Sequence, residues 1–175
     1  MYAPHFAAAL AVKGRAPKAP AWALLTAAFL PDLVWIVLAG AGIEPADPKI
    51  FFDDWSHSIL SVIVEATAFA LLFYRRGPAV WLPILLAGLS HLLLDLPIHP
   101  KPLALYPHAS IHVPWDLWSW GLSKVWLGIS PYWWIQSALV LVFLAIYASG
   151  AKRSGIPGNL VAASCIGVIG LKLLL

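Results

Sequence analysis

Long apolar runs alternate with short clusters of charge along this chain. A membrane-spanning helix needs about 20 mostly apolar residues, because each residue adds only about 1.5 Å of rise. Five stretches reach or approach that length: 21–43, 57–74, 78–96, 132–149 and 157–175. Proline punctuates them. Pro20, Pro78 and Pro157 stand at helix starts, where a missing N–H leaves no bond unmade. Pro97 and Pro100 follow the third run and are expected to end it. An earlier apolar stretch, 2–12, is too short to cross and predicts a re-entrant or interfacial half-helix. The pattern therefore predicts an all-α, polytopic membrane helical bundle of about five transmembrane helices. The half-helix precedes it, and residues 1–175 form one integral membrane domain.

Composition sharpens this picture. The 175 residues are 61% hydrophobic and only 11% charged. A soluble domain carries about 25% charged residues, so this chain lacks the charge to cover a water-facing surface. The net charge is +3 and the pI about 9.1. The basic residues are scattered at the ends of apolar runs, which fits membrane topology and not a phosphate footprint, so no nucleic-acid partner is expected. Lys13, Arg15 and Lys18, then Arg75 and Arg76, then Lys152 and Arg153 occupy alternate connections. These hold seven of the eleven basic residues and no acid. The other side holds Glu44, Asp47, Asp53, Asp54 and Asp116 with Lys49, Lys101 and Lys124. The positive-inside rule then puts the N-terminus in the cytoplasm and the C-terminus outside. The first residues lack the basic start of a signal peptide. The single cysteine, Cys165, lies in an apolar run and reads as a small packed residue.

The long outer connection, 98–131, carries His99, His108, His112 and Asp116 among Trp115, Trp118, Trp120 and Trp126. The tryptophans suit an interfacial belt, and an amphipathic outer helix is expected from about Pro114. Gly158, Ala162, Ala163, Gly167 and Gly170 in the last run permit close helix approach, inside the bundle or between copies, so an oligomer contact is a candidate there.

Ionisable groups within apolar runs mark function, because each costs a few kcal/mol to insert. Asp32, Glu65, His91 and Asp95 are such groups, and no basic residue shares their runs. A buried carboxylate without a cation holds a proton; a shared divalent metal is the other way to satisfy it. Spacing favours the metal. His91 and Asp95 are four apart on one helical face, with His99 four further on. His112 and Asp116 repeat the interval, and His57 opens the second run near the same outer face. Imidazole with carboxylate suits Zn2+, with Mn2+ or Fe2+ as competitors. His5 lies eight residues before Lys13, about 12 Å along a helix, which would lift it toward the depth of Asp32. Glu65 falls eight residues after His57 on the same face and reads either as a proton carrier or as a protonated packing residue.

The ordered series His5, Pro31-Asp32, His57-Ser58 and His91-x-x-x-Asp95, followed by the stretch DLPIHPKPLALYP, resembles the YdjM-like family of predicted bacterial inner-membrane metal-dependent hydrolases. The resemblance covers residues 3–120 and leaves 132–175 as C-terminal spans. A more distant similarity is to the soluble zinc-dependent phospholipase C and nuclease fold. That similarity implies one ion held by Asp32, His57, His91 and Asp95, and a second by His112, Asp116 and either His99 or His108. It implies a third helped by His5 and a bridging Asp95, hence one to three ions. Two features depart from it. Those enzymes use an N-terminal tryptophan ligand where this chain has Met1, and a glutamate where it has Asp116.

The resemblance implies hydrolysis by metal-activated water, with Asp32 as ligand or general base and Asp95 as bridging ligand. The expected site faces the periplasmic side of the bacterial inner membrane, where membrane lipids or another amphiphilic phosphoester would reach it. The competing expectation is a non-catalytic metal-binding or metal-transporting membrane protein.

Overall fold

The structure, a computed structural model, describes residues 2–45, 52–99, 101–113 and 131–174. The described residues are all-helical apart from turns and one isolated bridge, Ala104 to His112. Eight α-helices are present among them: α1 (Tyr2–Arg15), α2 (Ala21–Ala28), α3 (Leu30–Gly40), α4 (Asp54–His57), α5 (Ile59–Leu71), α6 (Pro78–Ile98), α7 (Pro131–Arg153) and α8 (Gly158–Leu174).

Two of them, α6 over Pro78–Pro97 and α7, are long and apolar enough to cross a membrane. The pair α2 and α3 makes a third if taken together, although it bends by 57°. Pro31 explains the bend, since it lacks the N–H that a continuous helix would return to Ala27. The expected second run is also broken. It begins as α4, turns at Ser58 (ψ 153°), and resumes as α5, where the Ile59 and Leu60 amides donate to the carbonyls of Ala104 and Leu105 and the Ser61 amide to the side chain of Ser58. At 13 residues α5 is about 20 Å long, short of the ~30 Å apolar layer. The expectation that Pro97 ends the third run is corrected. α6 continues through Pro97 to Ile98, and the helix stops at His99, whose ψ of 142° is the extended backbone that a following proline favours.

The half-helix is placed more centrally than its length alone suggested. α1 is almost wholly buried and packs on α7, α2, α6 and α8. Its alanines make this possible. Ala3, Ala7, Ala8, Ala9 and Ala11 fill the centre, while large aliphatic side chains point outward. Val37, Leu72, Leu93 and Ile166 are 69%, 77%, 71% and 71% exposed. Small residues inside and bulky apolar ones outside is the arrangement of a bundle whose surroundings are themselves apolar.

α1 and α7 touch backbone to backbone. A Cβ on Gly150 would lie 2.5 Å from the carbonyl oxygen of Gly14, and one on Gly14 would lie 2.7 Å from that of Tyr147. Ser154 Oγ donates to the Gly14 carbonyl at 3.0 Å, and Trp22 packs on Phe73 at 5.6 Å between ring centres. The three basic connections of the sequence thus gather at one end of the bundle. His91 lies 13 residues along α6 from Pro78, about 20 Å away toward the other end.

Candidate metal centre

Four separate stretches deliver ionisable side chains to one buried place. α1 brings His5, the first turn of α3 brings Asp32, the last residue of α4 is His57, and α6 supplies His91 and Asp95 on one face. His5 Nε2 lies 3.1 Å from Asp95 Oδ1, and His91 Nε2 lies 3.1 Å from Asp95 Oδ2. His57 Nε2 is 3.6 Å from Asp32 Oδ1, and His91 Nδ1 is 3.9 Å from Asp32 Oδ2. The rings of His5 and His91 stack at 3.9 Å, 7° from parallel. All five residues are buried.

The hydrogen-bond network fixes what these nitrogens offer. His91 Nδ1 lies 2.8 Å from the carbonyl oxygen of Ala28, the last residue before the α2–α3 break. A carbonyl only accepts, so Nδ1 carries the proton and donates it. In a neutral imidazole Nε2 then keeps its lone pair, 3.1 Å from Asp95 Oδ2, and is free to ligate a cation shared with that carboxylate. Neither His5 Nε2 nor His91 Nε2 makes a hydrogen bond of good geometry, despite the 3.1 Å separations. Two ligands bound to one tetrahedral zinc-type ion at 2.0–2.1 Å stand about 3.3 Å apart, which is close to the spacing seen. Two donor sets have all their ligand atoms within 4.8 Å of one another: His5, Asp32 and His91, and His57, His91 and Asp95. The residues therefore fit a divalent ion that accepts nitrogen and oxygen, and an Nδ1–H held by a backbone carbonyl is the usual support for an Nε2 ligand.

His99 goes elsewhere. Its backbone N–H closes the α6 helix on Asp95, while its ring turns to Asp53, with Nε2 3.2 Å from Asp53 Oδ2 and Nδ1–H donating to the Lys101 carbonyl at 3.0 Å. Its ring centre is 5.7 Å from that of His57, so the Asp53–His99 pair borders the five-residue group. Lys101 Nζ completes this rim, 2.7 Å from Asp53 Oδ1 and 2.8 Å from Asp54 Oδ1. Burial pushes the Asp53 carboxyl up, but the bonds and charges of His99 and Lys101 outweigh it and hold it down at about 2. Burial lowers the Lys101 ammonium, and the two carboxylates more than offset that, leaving it raised.

The remaining expected positions lie apart. His112 is exposed, hydrogen-bonded to the carbonyl of Ser110, and belongs to neither donor set. His108 is exposed in a left-handed turn (φ 61°) and stacks on Phe52. Asp116 and the amphipathic segment from Pro114 lie outside the described residues. Glu65 is half-buried, its Oε2 accepts no hydrogen bond, and it is in neither set. The break at Ser58 removes the continuous helical face that was expected to join Glu65 to His57.

Sequence reasoning passed over Glu44, Asp53 and Lys101 as ordinary loop charges and did not single out Ser56. All four lie in or against the wall of the site, and the signal available was the dense run Asp53-Asp54-Trp55-Ser56-His57. No protein-family model, no curated protein and no solved structure matches this chain.

Proposed function

We propose that the chain is a membrane-embedded, metal-dependent hydrolase of phosphoester or lipid-like substrates. Its five crossings would be α2–α3, α4 with α5, α6, α7 and α8, with the site toward the non-cytoplasmic side, the side opposite the three basic connections. One observation carries the reading: three imidazoles and two carboxylates from four distant stretches meet in the buried interior, with no lysine or arginine in either donor set.

Asp32, His57, His91 and Asp95 would hold the ion, zinc for preference, with His5 joined through Asp95. When bound, it would act as a Lewis acid and lower the pKa of a water at the site. The protein's own groups divide the remaining work. Asp95, 3.1 Å from both His5 and His91, would share the ion between the two imidazoles. Asp32 is the more open carboxylate, its side chain 12% exposed against 6% for Asp95, and would take up the proton from an attacking water. The apolar packing excludes bulk water, which strengthens every charge interaction within. Toward the basic end, fully buried Ala27, Ala28, Ile84 and Ala87 close the bundle floor. That apolar floor is a poor path for an ion, and it favours hydrolysis over transport.

The test is metal analysis of the purified full chain after dialysis against zinc, followed by assay on phosphodiester and phospholipid substrates. At least one tightly held ion is expected. His91→Ala and Asp95→Asn should abolish turnover while the protein still unfolds cooperatively. Metal content near zero, or unchanged turnover in both variants, would reject the proposal.

A further inference from the structure

His57 has a support of its own, built from two residues outside the ligand set. α3 ends in a Schellman turn: Gly42 (φ 71°) donates to the Ala39 carbonyl at 3.0 Å, and Ile43 to the Leu38 carbonyl at 2.9 Å. This turn folds the chain back and carries Glu44 into the interior, where it is wholly buried. Glu44 Oε1 accepts the backbone N–H groups of Trp55 at 2.7 Å and Ser56 at 3.1 Å. Oε2 accepts the Ser56 hydroxyl at 2.7 Å, and Ser56 Oγ lies 2.7 Å from His57 Nδ1. Ser56 is also wholly buried.

A serine has one proton to donate. Given to the Glu44 carboxylate, it leaves an oxygen lone pair facing His57 Nδ1, which must then be the N–H that donates. Giving the proton to His57, or to the Asp53 carbonyl 3.1 Å away, would set the lone pairs of the Glu44 carboxylate and Ser56 Oγ against each other at 2.7 Å in a buried place. We propose that Glu44 and Ser56 are positioning residues that hold His57 in the tautomer with its proton on Nδ1, so that Nε2 offers its lone pair beside Asp32. The line Glu44–Ser56–His57 also draws electron density toward Nε2 and makes it a better ligand for a divalent cation. The use of this device rests on the metal reading given above; the position of the proton does not.

Two measurements on the full chain in detergent test it. The first is nitrogen-15 NMR of metal-free, histidine-labelled protein at neutral pH, with His57 assigned by a His57→Gln variant. A protonated Nδ1 and bare Nε2 are expected, and a proton on Nε2 overturns the inference. The second is zinc affinity by competition with a chromophoric chelator. Ser56→Ala should weaken zinc about 10–100-fold, the usual effect of losing a ligand's hydrogen-bonded support, with the thermal transition retained. Glu44→Gln, which keeps the shape and removes the charge, should weaken it in the same sense. Undiminished affinity in folded Ser56→Ala overturns the inference. A wild-type chain that binds no zinc but shows the Nδ1–H tautomer would sink the metal reading and leave the positioning device standing.

Discussion

Replacing Gly150 by alanine tests whether the buried half-helix is held where its backbone contact places it. The new Cβ would sit 2.5 Å from the Gly14 carbonyl oxygen and 2.7 Å from the Gly14 carbonyl carbon. Ordinary contact begins near 3.4 Å, so α1 and α7 must part by roughly 0.9 Å, and both atoms met are backbone that cannot rotate away. Overpacking costs about 1–3 kcal/mol, and with backbone on both sides of the clash the upper part of that range, about 2–3 kcal/mol, applies. Alanine regains up to about 1 kcal/mol of helix propensity, leaving a net loss of about 1–2 kcal/mol. At 2–4 °C per kcal/mol for a chain of this size, the midpoint of thermal unfolding should fall by about 2–8 °C. Because α1 carries His5, zinc affinity should fall as well. Gly167→Ala on α8 is the matched control, since nothing within 4 Å would meet its Cβ. It should leave the midpoint unchanged or raise it. The measurement is thermal unfolding of detergent-solubilised protein, followed by tryptophan fluorescence. No fall for Gly150→Ala would refute the packing argument. An equal fall would instead mean that the small stripe of α8 is covered by a second copy.

Three further outcomes follow from the same geometry. Asp95→Asn removes the carboxylate that both His5 and His91 approach at 3.1 Å, and should weaken zinc by more than about 100-fold in a competition titration. Asp53 has its pKa depressed on folding, from 3.8 to about 2, so its contribution to stability is complete above about pH 4 and is lost as the pH falls toward 2. That contribution amounts to about 2 kcal/mol, and Asp53→Asn should flatten the acid limb of a stability-against-pH curve measured by denaturant titration. His112→Ala should leave the zinc stoichiometry unchanged, because His112 is exposed and bound to its own loop; loss of an ion would restore the second site that the soluble fold implies.

The helical class and the pairing of His91 with Asp95 were legible in the sequence for one reason. A polar residue in an apolar run is rare, so each one stands out, and an interval of four puts two such residues on one helix face. Asp32 was found by the same logic. The breaks were not legible, because a hydropathy window adds up apolar character and is blind to backbone. Pro31 and the Ser58 turn each divide a run that reads as continuous, and those divisions are what free the Ala28 carbonyl for His91 and let α4 aim His57 inward. The depth of α1 was half legible. Its length excluded a crossing, but its alanines were read as apolar when their small size was the informative property.

Loop acids present the opposite problem from span acids. Glu44, Asp53 and Asp54 occur where charge is expected, so nothing in their local sequence separates a solvated carboxylate from a buried one. Burial was decided by partners far along the chain: Ser56 for Glu44, and His99 with Lys101 for Asp53. The same partnership explains why His99 leaves the helical row it shares with His91 and Asp95. α6 runs through Pro97 and carries His99 to the end of the row, but the extended backbone imposed ahead of Pro100 swings its ring outward, and Asp53 receives it. In a chain of this kind the apolar runs reveal where charge is costly. The loops conceal how that cost is met, and the wall of the site is built from them.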